Sequence, residues 1–162
     1  SQAATVQAGG ALARKDEAEL RRVAIAAHII SLSFGILIVA LFLAVPGALV
    51  SLFLDPDEPR RAALIAIGSG LVQLAALFQF VDATQILALS LLRGLQDTTR
   101  PMWLATLSYW VIGMPVSYWL TFELGLGPPG LWLGLTVGLG MAAILLSWRF
   151  WRSSIKIGKK PV

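Results

Sequence analysis

An all-α, polytopic membrane helix bundle is the fold class that this sequence predicts, and three observations predict it. Hydrophobic residues fill 57% of the 162 positions and charged residues only 14%, against a soluble norm of roughly 45–50% and about 25%. The apolar residues fall in blocks of twenty or more, longer than a buried core helix needs and long enough to cross a hydrocarbon layer. The remaining charges sit at the ends of those blocks rather than on one soluble face.

Positions 1–22 read as the tail of an upstream helix followed by a cytoplasmic loop. Ala3, Ala4, Ala8, Gly9, Gly10 and Ala11 suit a closely packed helix end, or else an unstructured terminus. The chain opens on Ser1 without a charged n-region or an h-region ending in a cleavage site, and is expected to be part of a longer protein. Four spans follow over about 23–53, 62–92, 102–124 and 130–151, making a transmembrane region of 23–151. The first ends in Asp55-Pro56-Asp57-Glu58-Pro59, a turn that belongs in water. The second is interrupted only by Gln73, Gln79, Asp82, Thr84 and Gln85. The third follows the polar stretch Arg93 to Pro101, and the fourth follows Gly127-Pro128-Pro129-Gly130. At about 1.5 Å per residue, a stretch of ~20 residues crosses ~30 Å of hydrocarbon, so each block spans once and the first two have length to spare. Residues 152–162 form a basic cytoplasmic tail.

Lysine and arginine set the orientation, because basic loops stay cytoplasmic. Arg14, Lys15, Arg21 and Arg22, then Arg93 and Arg100, then Arg149, Arg152, Lys156, Lys159 and Lys160 fall on one side; Arg60 and Arg61 fall on the other, eleven against two. Both ends of the chain are therefore expected in the cytoplasm. Trp103, Trp148 and Trp151 lie at the expected cytoplasmic boundary and Trp119 and Trp132 near the outer one.

Much chemistry is excluded. With no cysteine there is no disulfide, thiolate metal site or thiol nucleophile, and with His28 the lone histidine most metal chemistry goes too. The net charge of +4 reads as basic helix flanks rather than a nucleic-acid surface. No serine, histidine and acid are arranged for hydrolysis, so no enzyme activity and no cofactor are expected. His28 is expected as a satisfied interfacial histidine. The loop residues Arg93, Gly94 and Asp97 supply a tight turn and a possible Arg93–Asp97 pair, without the pattern of a phosphate-cradling loop.

Asp82 is the informative residue. It lies inside the second span with no basic neighbour, where an aspartate costs about 2.5–3.5 kcal/mol and is kept mainly facing a bundle interior or water-filled cavity. At ~100° per residue, Gln79, Asp82, Gln85 and Arg93 share one stripe, and Arg93 is roughly 16 Å along the axis, too far to pair with Asp82. The counter-charge must be a bound cation, a proton or a group on another helix. The functional reading makes Asp82 a cation or proton site with Gln79 and Gln85 as partners. The structural alternative makes it the cap of a broken helix, or the partner of a helix outside this chain.

Gly130, Gly134 and Gly138 form a four-residue small-side-chain seam for close helix packing. Gly113 and Pro115 mark a bend in the third span, either a hinge or a fixed packing feature. Phe78, Tyr109 and Trp110 are the candidates to line a substrate cavity by stacking and cation–π attraction, with lipid-facing or packed aromatics as the alternative.

Taken in order, Phe80-Val81-Asp82-Ala83-Thr84-Gln85, Leu92-Arg93-Gly94-Leu95-Gln96-Asp97-Thr98, Pro101, Tyr109-Trp110 with Gly113 and Pro115, and Gly130-Leu131-Trp132-Leu133-Gly134-Leu135 resemble the late segment of multidrug and toxic compound extrusion (MATE) transporters. The similarity covers roughly 23–151, with a weaker echo in Gly9 to Asp16. It implies that the four spans are the ninth to twelfth helices of a twelve-helix, two-lobed antiporter and form part of its C-terminal lobe. It also implies that Asp82 matches the carboxylate of the sodium-coupled bacterial branch, whose partner acid lies on the seventh helix. Some members carry a tyrosine one turn before that aspartate where this chain has Phe78, which leaves sodium and proton both open as coupling ion.

The expected function is then cation-coupled antiport, exporting drugs and organic cations from the bacterial inner membrane in exchange for sodium or protons. The expected partners are membrane lipid, upstream helices of the same polypeptide and small organic cations. A lipid-linked or polysaccharide flippase of the same superfamily and a non-transporting membrane scaffold are the alternatives.

Overall fold

The structure, a computed structural model, describes residues 2–156. Among them there is no strand, and every long element is helical. Helix α1, Gln2–Ala13, is rich in alanine, the strongest helix former. The chain reverses through Lys15, whose φ is 55°, into α2, Glu17–Ala44, where the Asp16 carboxylate accepts the Glu19 N–H at 2.8 Å and caps the helix. Glu17 and Glu19 add negative charge to the positive end of the α2 dipole.

The block expected as one span over 23–53 is divided. Pro46 has no N–H and disfavours a helical residue before it, so Val45 leaves the helix at φ −134° and the chain restarts as α3, Pro46–Ser51. The turn after it is held by an Asp57 N–H to Asp55 carboxylate bond of 3.0 Å. Helix α4, Arg61–Gly94, is unbroken over 34 residues, about 51 Å at the usual rise, so it exceeds the hydrocarbon thickness and must tilt or protrude.

The third apolar stretch is a composite: α5, Thr99–Leu107; a π segment π1, Ser108–Gly113; α6, Met114–Tyr118; and a second, π2, Trp119–Glu123. Positive φ at Gly125 and Gly127 then turns the chain into α7, Pro128–Arg149, with prolines at its first two positions, followed by π3, Phe150–Ser154. Of the described helical stretches, Glu17–Ala44, Arg61–Gly94 and Pro128–Arg152 are long and apolar enough to cross a membrane. The stretch Thr99 to Glu123 is helical throughout but divided by its π segments.

Helix α4 is the central element, with α1, α2 and α3 on one flank and α7 on the other. The buried core gathers at one end, where Ala8, Leu20, Leu91, Leu92, Leu95, Leu146 and Phe150 are almost fully enclosed. Two close contacts define this end. At Gly94 a Cβ would stand 2.5 Å from the Thr5 carbonyl oxygen and 2.8 Å from Ala8 Cβ, so the glycine is needed for α1 to lie against α4. Asp97, after α4, accepts from Arg149 at the end of α7 at 2.7 Å, with side chains only 9% and 16% exposed.

On the other side, α7 packs its glycines into the third stretch. A Cβ on Gly138 would lie 2.7 Å from Gly113 Cα, one on Gly130 would lie 2.8 Å from the Leu120 carbonyl, and one on Gly134 would collide with the Ser117 backbone. Elsewhere the large apolar side chains of α2, α4 and α7 are widely exposed, the surface of elements solvated by lipid or by further helices.

Candidate functional site: the Asp82 cavity

Asp82 sits 12 residues from the C-terminal end of α4, about 18 Å at 1.5 Å per residue, beyond reach of the helix dipole. Because α4 runs unbroken through this position, Asp82 caps no helix end. It opens into a cavity of about 570 Å³ between α1, α2 and α4. The polar lining is Gln7 from α1, Ser31 from α2, and Gln79 and Asp82 from α4; alanines, isoleucines and Phe34 supply most of the rest. Asp82 is the one ionisable side chain among the lining residues. Among the described residues, no lysine, arginine or histidine forms an ion pair with it.

The two glutamines paired with Asp82 in sequence go separate ways. Gln79 lines the cavity. Gln85 is 7% exposed and is not among the residues that line that cavity. Thr84 spends its hydroxyl on the Phe80 carbonyl at 3.1 Å.

The three aromatics expected around a cavity do not share one. Phe78 packs edge-on against Trp132 of α7, ring centroids 5.5 Å apart. Tyr109 is half-buried in π1, and Trp110, its neighbour on a helical backbone, points outward and is 66% exposed.

The loop after α4 also departs from expectation. Arg93 is exposed, and the Asp97 carboxylate is held by Arg149 rather than by Arg93. The left-handed residue of the turn is Gln96, at φ 57°, while Gly94 ends α4 and serves helix packing. Pro115 lies one residue inside α6, directly after π1. His28 bonds through Nδ1 with the Ala24 carbonyl oxygen at 2.7 Å and packs against Trp151, ring centroids 5.8 Å apart.

The donor set around Asp82 is one carboxylate with amide and hydroxyl oxygens, hard donors that suit a proton or an alkali cation rather than a soft transition metal. Among the described residues no group of three or more His, Cys, Asp and Glu side chains forms a metal cluster. Sequence reasoning missed Gln7 and Ser31, which are 75 and 51 positions from Asp82 and reach it only through tertiary packing.

The fold is a helical bundle in which three of the described stretches are long and apolar enough to cross a membrane. The arrangement matches the crystal structure of the eukaryotic MATE transporter AtDTX14 with a TM-score of 0.83 over 95% of this chain and 33% of that one, at 21% identity, a likeness of fold. The MatE family model matches residues 1–119, and the chain belongs to the MatE family. It is 41% identical over 149 residues to "Multidrug resistance protein NorM" of Burkholderia vietnamiensis, covering 92% of this chain and 32% of that protein. It is 47% identical over 128 residues to "Probable multidrug resistance protein NorM" of Burkholderia mallei, covering 79% and 26%. A protein of the same printed name in Rhizobium meliloti is 38% identical over 161 residues, covering 99% and 34%. The chain thus spans about a third or less of the length of these relatives.

Proposed function

We propose that this chain is part of the C-terminal lobe of a cation-coupled exporter of drugs and organic cations, with Asp82 as the site of the coupling sodium ion or proton. The observation that carries the reading is a lone carboxylate, mid-way along a membrane helix, opening into a cavity with no basic residue to neutralise it. An aspartate so placed costs about 2.5–3.5 kcal/mol unless a positive species visits it. The relatives named for multidrug resistance supply the cargo class.

Coupling needs only that ion and cargo differ in affinity between inward-open and outward-open states. With the ion on Asp82 the cavity is neutral; without it the negative site favours a cation. A tenfold difference in ion affinity between the two states corresponds to about 1.4 kcal/mol of population shift. Gln79, with Gln7 and Ser31, supplies the neutral oxygens of the site. The end of the bundle carrying Arg14, Arg93 and Arg149 faces the cytoplasm of a bacterial inner membrane, as its basic excess requires.

The test is efflux from inverted membrane vesicles containing the intact polypeptide that carries this chain, with sodium and pH gradients imposed separately. Asp82→Asn is expected to abolish gradient-driven efflux at unchanged protein levels. Efflux that stays gradient-driven in that variant removes the assignment.

A further inference from the structure

The basic end of the bundle carries two features that the Asp82 site does not use: a widened turn at the exit of α7, and an apolar furrow between α2 and α7. Past Arg149 the backbone opens into π3, Phe150–Ser154, closed by the Ile155 N–H on the Phe150 carbonyl at 3.0 Å. Phe150 and Ile155 are both sunk in the core, so the turn is held from two points and leaves Trp151 and Arg152 outside. The Arg152 guanidinium lies over the Trp148 ring, 5.1 Å from its centroid. Trp151 meets His28 of α2 with ring centroids 5.8 Å apart, which joins the two helices across one face.

That face continues along the bundle. Residues three or four apart share a helix side, so His28 stands beside Ile25 and Leu32, and Trp151 beside Trp148, with Ile144 one turn further. Apart from His28, all of these are exposed. The α2 side runs on through Ile36 into an apolar groove of about 350 Å³ between α2 and α4, where Val39, Leu43, Leu77 and Phe80 are wall residues and Gln73 is the polar one. The groove and the Asp82 cavity share no lining residue. At the basic end, Arg21 is exposed on α2 seven residues before His28, two turns along the same side.

We infer that this furrow binds an anionic phospholipid, its phosphate held between Arg152 and Arg21 and an acyl chain lying over Ile25 and Leu32 toward the groove at Ile36. Such a site needs only that the helices span a membrane, and it stands whether or not Asp82 binds the coupling ion. Stacking engages the face of a guanidinium and leaves its planar edge of N–H donors for phosphate oxygens. Indole rings suit the boundary between headgroup and acyl chain, where Trp148 and Trp151 then lie. From Arg21 to Ile36 is 15 residues, about 22 Å at 1.5 Å per residue. That matches one leaflet of a bilayer ~40–45 Å thick with its headgroups. The charge selects the lipid: arginines at this depth are drawn to an anionic surface, whereas a choline headgroup offers the same phosphate with an ammonium beside it.

The experiment measures lipid binding to the delipidated intact polypeptide in detergent by native mass spectrometry, with phosphatidylglycerol, phosphatidylcholine and inorganic phosphate as probes. Arg152→Gln and Arg21→Gln are each expected to weaken phosphatidylglycerol binding roughly fivefold, the scale of one basic residue at an anionic surface. Trp148→Leu keeps the charge but removes the stacking, and is expected to weaken it by about twofold to fivefold. Arg93→Gln is the control, because Arg93 is exposed at the same end but lies about 160–220° around α4 from Leu77 and Phe80; it should match the parent. All four side chains are exposed, and unchanged unfolding midpoints are expected to show that the variants fold. Phosphatidylcholine bound as tightly as phosphatidylglycerol overturns the inference. An equal loss in Arg93→Gln overturns it in favour of a diffuse basic belt, and displacement of the lipid by inorganic phosphate at equal concentration overturns it in favour of an ion site. Absence of any retained lipid means that other helices cover the furrow, and overturns it too.

Discussion

At the scale of single residues, the decisive feature is a charge without a counter-charge, and a second buried charge offers the contrast. Asp97, its side chain only 9% exposed, is paired with Arg149 at 2.7 Å. Removing one member of a buried pair typically costs about 3–5 kcal/mol, because the survivor is left desolvated and alone. Arg149→Met is therefore expected to lower stability by roughly 3 kcal/mol, read as a fall in the thermal unfolding midpoint in detergent. Asp97→Leu combined with Arg149→Met should recover part of that loss. Asp82 behaves in the opposite way: Asp82→Asn removes a cost and is expected to leave the unfolding midpoint unchanged or raised while ion-driven efflux disappears. Asp82 was legible in the sequence because a carboxylate in an apolar run needs no neighbour to be conspicuous. The Asp97–Arg149 pair was not, since 52 positions separate its members and both look like ordinary loop and flank charges.

At the scale of elements, hydropathy located the helical stretches and local chemistry set their interruptions. Pro46 and Pro115 are both visible in the sequence, but averaging over a window long enough to detect a span conceals where it breaks. The first proline divides a helix because Val45 is free to leave it; the second cannot, because Gly113 and Ser117 are pressed against α7, so the strain is taken up as π1. Pro115→Ala restores an N–H for the Val111 carbonyl and is expected to return π1 to regular helix. Amide hydrogen exchange across Ser108–Gly113 in the intact polypeptide checks it, with protection expected to rise in the variant. The glycine seam at 130, 134 and 138 was legible from its four-residue spacing, and the structure shows its partner as the Gly113 to Leu120 region. Gly134→Ala places a methyl group into the Ser117 backbone, and over-packing of that kind is expected to cost about 1–3 kcal/mol, measured as lower recovery and a lower unfolding midpoint in detergent.

For the whole molecule, the class was set by composition, since an apolar excess of this size has to meet lipid, and the order of motifs carried the family. The cavity was not legible. Gln7 and Ser31 reach Asp82 only because α1 and α2 fold back along α4, an arrangement fixed by Gly94 and Gly35, whose missing side chains admit Thr5 and Phe80. The wide apolar exposure of α2 and α4 follows from the same arrangement, in which α2 packs on α1, α3 and α4, α4 packs on those helices and α7, and the remaining faces are left to lipid or further helices.

The central claim is that a mobile cation or proton occupies the Asp82 carboxylate, and hydrophobic carbodiimide labelling of the intact polypeptide in membranes tests it most directly. Such reagents modify a carboxyl in its protonated form. Mass spectrometry of the peptide containing Asp82 should show modification that rises as pH falls, or that is progressively blocked by sodium with saturation, and is absent in Asp82→Asn. Modification of Asp82 indifferent to sodium and pH alike would contradict the account.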